Sequence, residues 1–246
     1  MKTFNLIIIL GALFLASCEN DPGIDPSKET FLPKIELIGS SNVSLPCGTT
    51  SYTDPGVNAS ENGVPVTPAV TTAPRYFGST QIDGADVYDI SYVAINVDNI
   101  PGATFRTVTI PPCNGDMVTN IEGVYTSTIV RINSAGTMLT GPQYTNIKYV
   151  YIKKMGANIY QISDVIGGWY EFGRALGVAY AAPGATIIAN NIAANDFTFG
   201  DAATVGGFGG AATLTGFTVD AATKNIVMSS DWELGFKFVA TLTQTN

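Results

Sequence analysis

The chain has 246 residues, a formal net charge of −8 and no histidine. Because Lys and Arg form no cluster that would neutralise phosphates, we expect no nucleic-acid binding. The absence of histidine excludes Ser-His-Asp and Cys-His catalysis and His-ligated metal sites. The 26 Gly and 13 Pro, abundant Thr and Val and no long amphipathic helical pattern predict an all-β protein.

The N-terminus has the three parts of an export signal. Lys2 supplies positive charge, residues 6–15 form an apolar core, and Ala16 and Ser17 are the small residues that precede a cleavage site. A membrane-spanning helix needs roughly 20 apolar residues, so this core is too short to be one. We therefore predict a signal peptide over residues 1–17.

Leu15-Ala16-Ser17-Cys18 resembles the bacterial lipobox. The resemblance implies that Cys18 carries diacylglycerol and anchors the mature chain to a membrane. The alternative is an ordinary cleaved signal followed by an incidental cysteine.

Residues 18–32 are polar, acidic and contain proline, which predicts a flexible tether. Glu19, directly after the predicted lipid site, resembles the surface-export signal of Bacteroidota lipoproteins. That resemblance implies a location in the outer membrane, facing the cell exterior. The alternative is a solvated linker whose charges have no further meaning.

Two cysteines remain after lipidation, Cys47 and Cys113. In an oxidising exterior a pair of cysteines favours a disulfide, and no histidine is present to complete a zinc site. We expect neither a metal nor a cofactor. The alternative is two separate thiols, because sequence alone gives no geometry.

Residues 33–113 carry short β-rich segments separated by turns. Residues 87–94 and 104–110 alternate with the period of two that is typical of a half-buried antiparallel pair. Further strands are predicted at 34–38, 43–45 and 57–59, and a loop rich in Pro and Thr follows them. A small sandwich is the economical arrangement.

This region resembles a bacterial immunoglobulin-like domain, a type common in cell-surface proteins and used mostly as a spacer or display module. In that family the segment around Leu45 runs beside the last strand, which would bring Cys47 towards Cys113. Residues 96–102 depart from the tighter turn of the family. The resemblance rests on four motifs in this order: Leu45-Pro46-Cys47-Gly48-Thr49, Tyr52-Thr53-Asp54-Pro55-Gly56-Val57, Val87-Tyr88-Asp89-Ile90-Ser91-Tyr92-Val93-Ala94 and Arg106-Thr107-Val108-Thr109-Ile110.

Pro111 and Pro112 cannot donate to a β-ladder, so the first sheet should end there. Residues 114–246 then form a second, C-terminal β domain. Its many short segments predict a closed or nearly closed antiparallel barrel, or a sandwich. The predicted strands are 124–132, 147–153, 159–163, 168–172, 176–181, 185–189, 196–199, 212–219, 225–229 and 235–243.

Aromatic residues give the functional hypothesis for this domain. Flat rings with polar handles suit stacking against sugars, and neighbouring carboxylates accept hydrogen bonds from hydroxyls. The alternatives are that the aromatics are core residues, that the carboxylates are solvated strand residues, or that two of these carboxylates act as a glycosidase pair. The predicted ligand residues are Trp169, Tyr170, Trp232, Asp164, Glu171 and Asp231.

The order of lipobox, immunoglobulin-like module and C-terminal β domain resembles two-domain Bacteroidota surface lipoproteins. Many of these are associated with glycan uptake through a TonB-dependent transporter. The resemblance implies a non-catalytic lipoprotein that binds an extracellular glycan. The alternative is a structural or adhesive lipoprotein that contacts a protein partner.

Overall fold

The computed structural model describes residues 29–246. The predicted signal peptide, Cys18 and most of the predicted tether lie outside the described residues. Within the described part of the chain, no helix has the length and apolar character needed to cross a membrane. The fold is all-β, as the composition predicts, and its strands fall into two groups on either side of residues 111–122.

The N-terminal group forms two sheets that face each other. One sheet has the order β1-β3-β4 and the other has the order β2-β7-β6-β5. Apolar side chains that alternate along β6 and β7 fill the space between the sheets. The strands are β1 (Lys34–Leu37), β2 (Asn42–Ser44), β3 (Val57–Glu61), β4 (Val64–Pro65), β5 (Ala69–Pro74), β6 (Asp86–Ile95) and β7 (Pro101–Ile110).

Strand β2 runs parallel to β7, and the Leu45 amide donates to the Thr109 carbonyl at 2.9 Å. The segment around Leu45 thus lies beside the last strand of the sandwich, as the family resemblance implies. Cys47 and Cys113 form a disulfide with a Cα–Cα distance of 5.0 Å. The predicted pairing is confirmed.

Strand β5 occupies a segment in which the sequence pattern predicts a loop. It pairs with β6 over its whole length and has no other neighbour in its sheet. Pro74 ends the strand. Proline is tolerated in an edge strand because the outer side of that strand makes no ladder hydrogen bonds. Since proline usually indicates a loop, the sequence pattern does not predict this strand.

The C-terminal group forms one long antiparallel sheet that curls into a half-barrel. Its order is β13-β12-β11-β10-β8-β17-β16-β15-β14, and β9 is attached to β8. The strands are β8 (Gly123–Asn133), β9 (Met138–Leu139), β10 (Ile147–Lys154), β11 (Ile159–Ile162), β12 (Thr186–Asn191), β13 (Asp196–Phe199), β14 (Ala203–Thr204), β15 (Ala211–Asp220), β16 (Asn225–Trp232) and β17 (Phe236–Gln244).

The two sides of the curled sheet approach each other at one end. The Val219 amide of β15 donates to the Asn195 side chain at 2.6 Å, and the Phe197 and Phe217 rings lie 5.0 Å apart. These contacts join β15 to the β12–β13 hairpin without a continuous ladder. Of the two predicted architectures, the half-barrel corresponds to the nearly closed barrel.

Two predicted strands of this domain are wrong. Residues 168–172 lie in a π-helical turn, Trp169–Gly173, and residues 176–181 contain a short 3-10 helix, Val178–Tyr180. Gly167 and Gly168 both have positive φ, at 71° and 88°, which breaks an extended conformation. A Cβ on Gly167 would lie 2.8 Å from the Ala240 side chain, so this segment packs closely against the inside of the sheet.

Candidate functional site

A recess of the C-terminal domain lies where β8 and β16 end and β17 begins. It has a volume of about 470 Å³. It lies at the opposite end of β8 from Val124, which packs at the junction with the N-terminal domain. At about 3.3 Å per residue, the separation along the strand is roughly 30 Å. The recess is lined by Ile132, Asn133, Ser134, Gly136, Asp231, Trp232, Gly235, Phe236 and Lys237.

Strand register determines which side chains meet in this recess. Asn133 lies opposite Phe236, and Phe236 lies opposite Trp232, so the three residues form one row across β8, β17 and β16. The Trp232 and Phe236 rings are 5.9 Å apart. On the outer face, Asp231 is paired with Lys237 at 3.2 Å. The recess therefore combines two aromatic rings, an amide and an ion pair.

Apolar side chains that face solvent surround this end of the domain. Met138 is 68% exposed, Leu234 is 55% exposed and Phe208 is 47% exposed. Phe208 packs 6.2 Å from Trp232, and β9, which carries Met138, pairs with the end of β8. Exposed apolar residues grouped around a recess are typical of an interaction surface.

The predicted ligand residues are not brought together in one exposed surface. Trp169 is fully buried, stacked at 3.5 Å on the Tyr144 ring, and Tyr170 is buried against Phe208 and Phe238. Trp232 is 5% exposed. Trp169 and Tyr170 are core residues, which is the alternative that the sequence leaves open, whereas Trp232 is nearly buried but lines the recess. The segment with Trp169 and Tyr170 fills the half-barrel instead of forming the predicted strand, which explains why both rings are buried.

Asp164 and Glu171 lie elsewhere, at the junction of the two domains. Asp164 is 1% exposed and Glu171 is 5% exposed. The Tyr76 hydroxyl, from the N-terminal domain, donates to Glu171 Oε1 at 2.6 Å. The contact is surrounded by an apolar cluster of Tyr76, Phe77, Val87, Tyr151 and Ala181.

Burial disfavours the charged form of both carboxyl groups. It raises the pKa of Asp164 to about 8, with a further contribution from the charge of Glu171. It raises the pKa of Glu171 to about 7, against the opposing hydrogen bond from Tyr76. Asp164 Oδ2 and Glu171 Oε2 have no hydrogen-bond partner among residues 29–246. Burial therefore favours the protonated form of both carboxyls more than in solution, and neither is open to solvent as a glycan acceptor.

Asp231 alone among the six predicted residues is substantially exposed, with 44% of its side chain accessible. Asp231 and Trp232 both line the recess, so two of the six predicted residues belong to it. Sequence reasoning misses Phe236, Asn133 and the neighbouring Arg131, because their proximity depends on strand register. One signal is present in the sequence, since Arg131 continues the inward alternation of Tyr125, Ser127 and Ile129.

Acidic and thiol side chains do not form a metal centre in the described part of the chain. No group of three or more Cys, Asp or Glu side chains among residues 29–246 is arranged to hold a metal ion. Asp86, which lies near the junction, accepts hydrogen bonds from the backbone amides of Tyr76, Phe77 and Val87. Its oxygens thus stabilise the turn that leads into β6.

Comparison with known proteins identifies the family of the C-terminal domain. A family model described as a "-like, C-terminal domain" matches residues 114–244. The chain belongs to this family. The match covers the curled sheet and both ends of it, including the recess and the buried carboxyls.

A solved structure extends the comparison to both domains. The crystal structure of the lipoprotein BT2262 from Bacteroides thetaiotaomicron is similar, with a TM-score of 0.56 and 23% sequence identity. The match covers 87% of this chain and 100% of that chain. At this level of identity the similarity concerns the fold. A search of curated proteins gave no match.

Proposed function

We propose that this chain is a non-catalytic surface lipoprotein that binds an extracellular glycan at the recess of its C-terminal half-barrel. The observation that carries the proposal is the recess itself, where Trp232, Phe236 and Asn133 lie in one row beside the Asp231–Lys237 pair. Aromatic surface with a few polar groups, placed at the mouth of a barrel, is the usual composition of a sugar-sized site.

The anchoring part of the proposal rests on the sequence and on one fold relative. Lipidation of Cys18 would attach the mature chain to the outer membrane, and the protein with the similar fold is itself a lipoprotein. The N-terminal sandwich would then act as an immunoglobulin-like spacer. Its contact with the C-terminal domain buries the apolar cluster around Tyr76 and so supports a fixed orientation of the two domains.

Titration of the full chain in detergent with a panel of purified oligosaccharides, followed by calorimetry, tests this function. The expected result is saturable binding that Phe236→Ala weakens at least about 5-fold, since stacking contacts with a ring contribute on the order of 1 kcal/mol or more. Phe105→Ala is the matched control, because Phe105 is an exposed aromatic on the N-terminal domain. Equal binding by both variants, or no binding to any oligosaccharide, would contradict the proposal.

A second function is favoured by the exposed apolar residues around the recess. Met138, Leu234 and Phe208 would suit contact with a protein partner, and a TonB-dependent transporter is the partner that the family resemblance implies. Co-purification with such a transporter, lost in Met138→Ser and Leu234→Ser and accompanied by no glycan affinity, would establish this function in place of the first.

A further inference from the structure

Arg131 lies on the inner face of β8, two residues before Asn133, at the next inward-facing position beneath the recess. It is opposite Phe238, in the row next to that of Asn133, Phe236 and Trp232. Its guanidinium carbon lies 4.4 Å from the centre of the Phe236 ring and 5.3 Å from that of Trp169. These rings hold the planar cation by cation–π contact and fix its position beneath a residue that lines the recess.

The guanidinium has more donors than the structure uses. It carries five N–H groups, and one contact is formed, from Nη1 to the Tyr170 hydroxyl at 3.3 Å. No carboxylate among residues 29–246 lies within salt-bridge distance of it. The side chain is half-buried, so solvent satisfies the remaining donors only in part. In this respect Arg131 differs from Arg75 and Arg106, which are both paired with aspartates.

A second donor in the same place lacks an acceptor. The indole Nε1 of Trp169, beneath the same guanidinium, is buried and has no hydrogen-bond partner in the described part of the chain. Neither Asp231, which lines the recess, nor Glu233, which is close to it in sequence, forms an ion pair with Arg131. Asp231 is paired with Lys237 on the outer face, and the Glu233 side chain lies against Gly210. Among residues 29–246, the region directly beneath the recess therefore has more hydrogen-bond donors than acceptors and one positive charge without an ion-pair partner.

We propose that Arg131 binds the carboxylate of an acidic sugar, so that the glycan recognised by this domain contains uronic acid. The inference rests on the proposed function and narrows its ligand class. The fork of a guanidinium matches the two oxygens of a carboxylate, and charge-assisted bonds of this kind are about twice as strong as neutral ones. The sugar ring would then lie against Phe236, in the position where an aromatic face stacks on a pyranose.

The test uses oligogalacturonate and its carboxyl-reduced, neutral counterpart as probes, titrated into the full chain in detergent. The acidic probe should bind at least about 10-fold more tightly than the neutral one, and this preference should fall as salt rises. Arg131→Gln should abolish the preference. Arg131→Lys should retain only part of it, because lysine keeps the charge but not the planar fork.

Arg174→Gln is the control for net charge, since Arg174 is an exposed arginine of the same domain. Near-ultraviolet circular dichroism and the thermal midpoint show whether each variant is folded. Should Arg131→Gln fail to fold, a reduced preference in a folded Arg131→Lys protein supports the inference.

Three results would overturn it. Equal binding of the acidic and neutral probes by the wild-type chain would remove the acidic specificity and leave glycan binding intact. A folded Arg131→Gln or Arg131→Lys protein that keeps the full preference would show that Arg131 has only a packing role. Failure of both probes, while other neutral oligosaccharides bind, would also contradict the inference, whereas failure of every oligosaccharide would contradict the proposed function itself.

Discussion

Two buried polar clusters within residues 29–246 differ greatly in how many of their polar atoms have hydrogen-bond partners. In the N-terminal sandwich, Arg106 is fully buried, yet it forms an ion pair with Asp54 and donates to the carbonyls of Ser40 at 2.9 Å and Ile38 at 2.6 Å. Tyr92 completes this cluster by donating to Asp54 at 2.5 Å. At the domain junction, Glu171 has one partner, Tyr76, and each carboxyl of the Asp164 and Glu171 pair keeps one oxygen unpartnered among the described residues.

The difference teaches that burial alone does not determine what a charged residue does. Each side of the Arg106 guanidinium meets an acceptor, so Arg106 ties β7 to the loops around residues 38–40 and 54–56. Glu171 and Asp164 have too few donors to offset their desolvation, so burial raises the pKa of both. The second cluster should therefore make stability depend on pH near neutrality.

The largest effect is expected from breaking the satisfied cluster. Arg106→Met should lower the free energy of unfolding of the N-terminal domain by about 3–5 kcal/mol, because it leaves Asp54 without its buried partner. Urea denaturation followed by intrinsic fluorescence measures this loss. A decrease below about 1 kcal/mol would show that Asp54 finds other partners.

The second prediction concerns the pH dependence of the junction. The pKa of Glu171 is higher in the folded chain than in the unfolded one, so its contribution to stability is complete below about pH 4.5 and is lost as pH rises through about 7. Asp164 extends the loss towards pH 8. We therefore expect the free energy of unfolding to decrease between pH 5 and pH 8.5.

The variant Glu171→Gln measures how much Glu171 alone contributes to this pH dependence of stability. The amide that replaces the carboxyl cannot ionise, so the stability difference between this variant and the wild type should shift in favour of the variant by about 3 kcal/mol between pH 5 and pH 8.5. Parallel stability curves for the two proteins would mean that Glu171 does not titrate in this range.

A smaller effect is expected from removing the one donor that Glu171 has. Tyr76→Phe should cost about 1–2 kcal/mol, and more at pH 8.5 than at pH 5, because a hydrogen bond to a carboxylate is stronger than one to a protonated acid. Tyr151→Phe is the matched control. Tyr151 packs 6.0 Å from Tyr76, and its hydroxyl makes no hydrogen bond within residues 29–246. Equal losses in the two variants would attribute the effect to packing instead of to the hydrogen bond.

The smallest effect should follow a change in a paired but half-exposed arginine. Arg75 donates twice to Asp89, at 2.8 Å each, with about a third of each side chain exposed. Arg75→Gln should cost about 1 kcal/mol, because solvent replaces part of what the pair contributes. Urea denaturation of this variant and of Arg106→Met under the same conditions compares the two losses of stability. Equal losses would contradict the predicted ranking.

Much of the fold follows from local sequence patterns. Alternation along residues 87–94 and 104–110 correctly predicts β6 and β7, and the prolines at 111 and 112 mark the end of the first sheet. The pairing of Cys47 with Cys113 follows from compartment and family resemblance. Local patterns fail at residues 168–172, where β-type composition occurs inside the half-barrel and two glycines with positive φ turn the chain.

The site could be predicted only in part. Residue type identifies Trp232 and Asp231, and both line the recess. Phe236, Asn133 and Arg131 are brought beside them by the pairing of β8, β16 and β17, which no local pattern determines. Trp169, Tyr170 and Glu171 have the composition of a binding site, but long-range packing buries them.

The disulfide between Cys47 and Cys113 also determines how the chain would respond to tension. A force applied between residue 29 and the C-terminal domain passes along residues 29–47, crosses to Cys113 and bypasses the loop between the two cysteines, which are 66 positions apart. The N-terminal sandwich could then lengthen by no more than roughly 60 Å of extended chain, against roughly 290 Å without the bond. Strands β6 and β7, which lie inside the loop, carry none of the load along their covalent backbone.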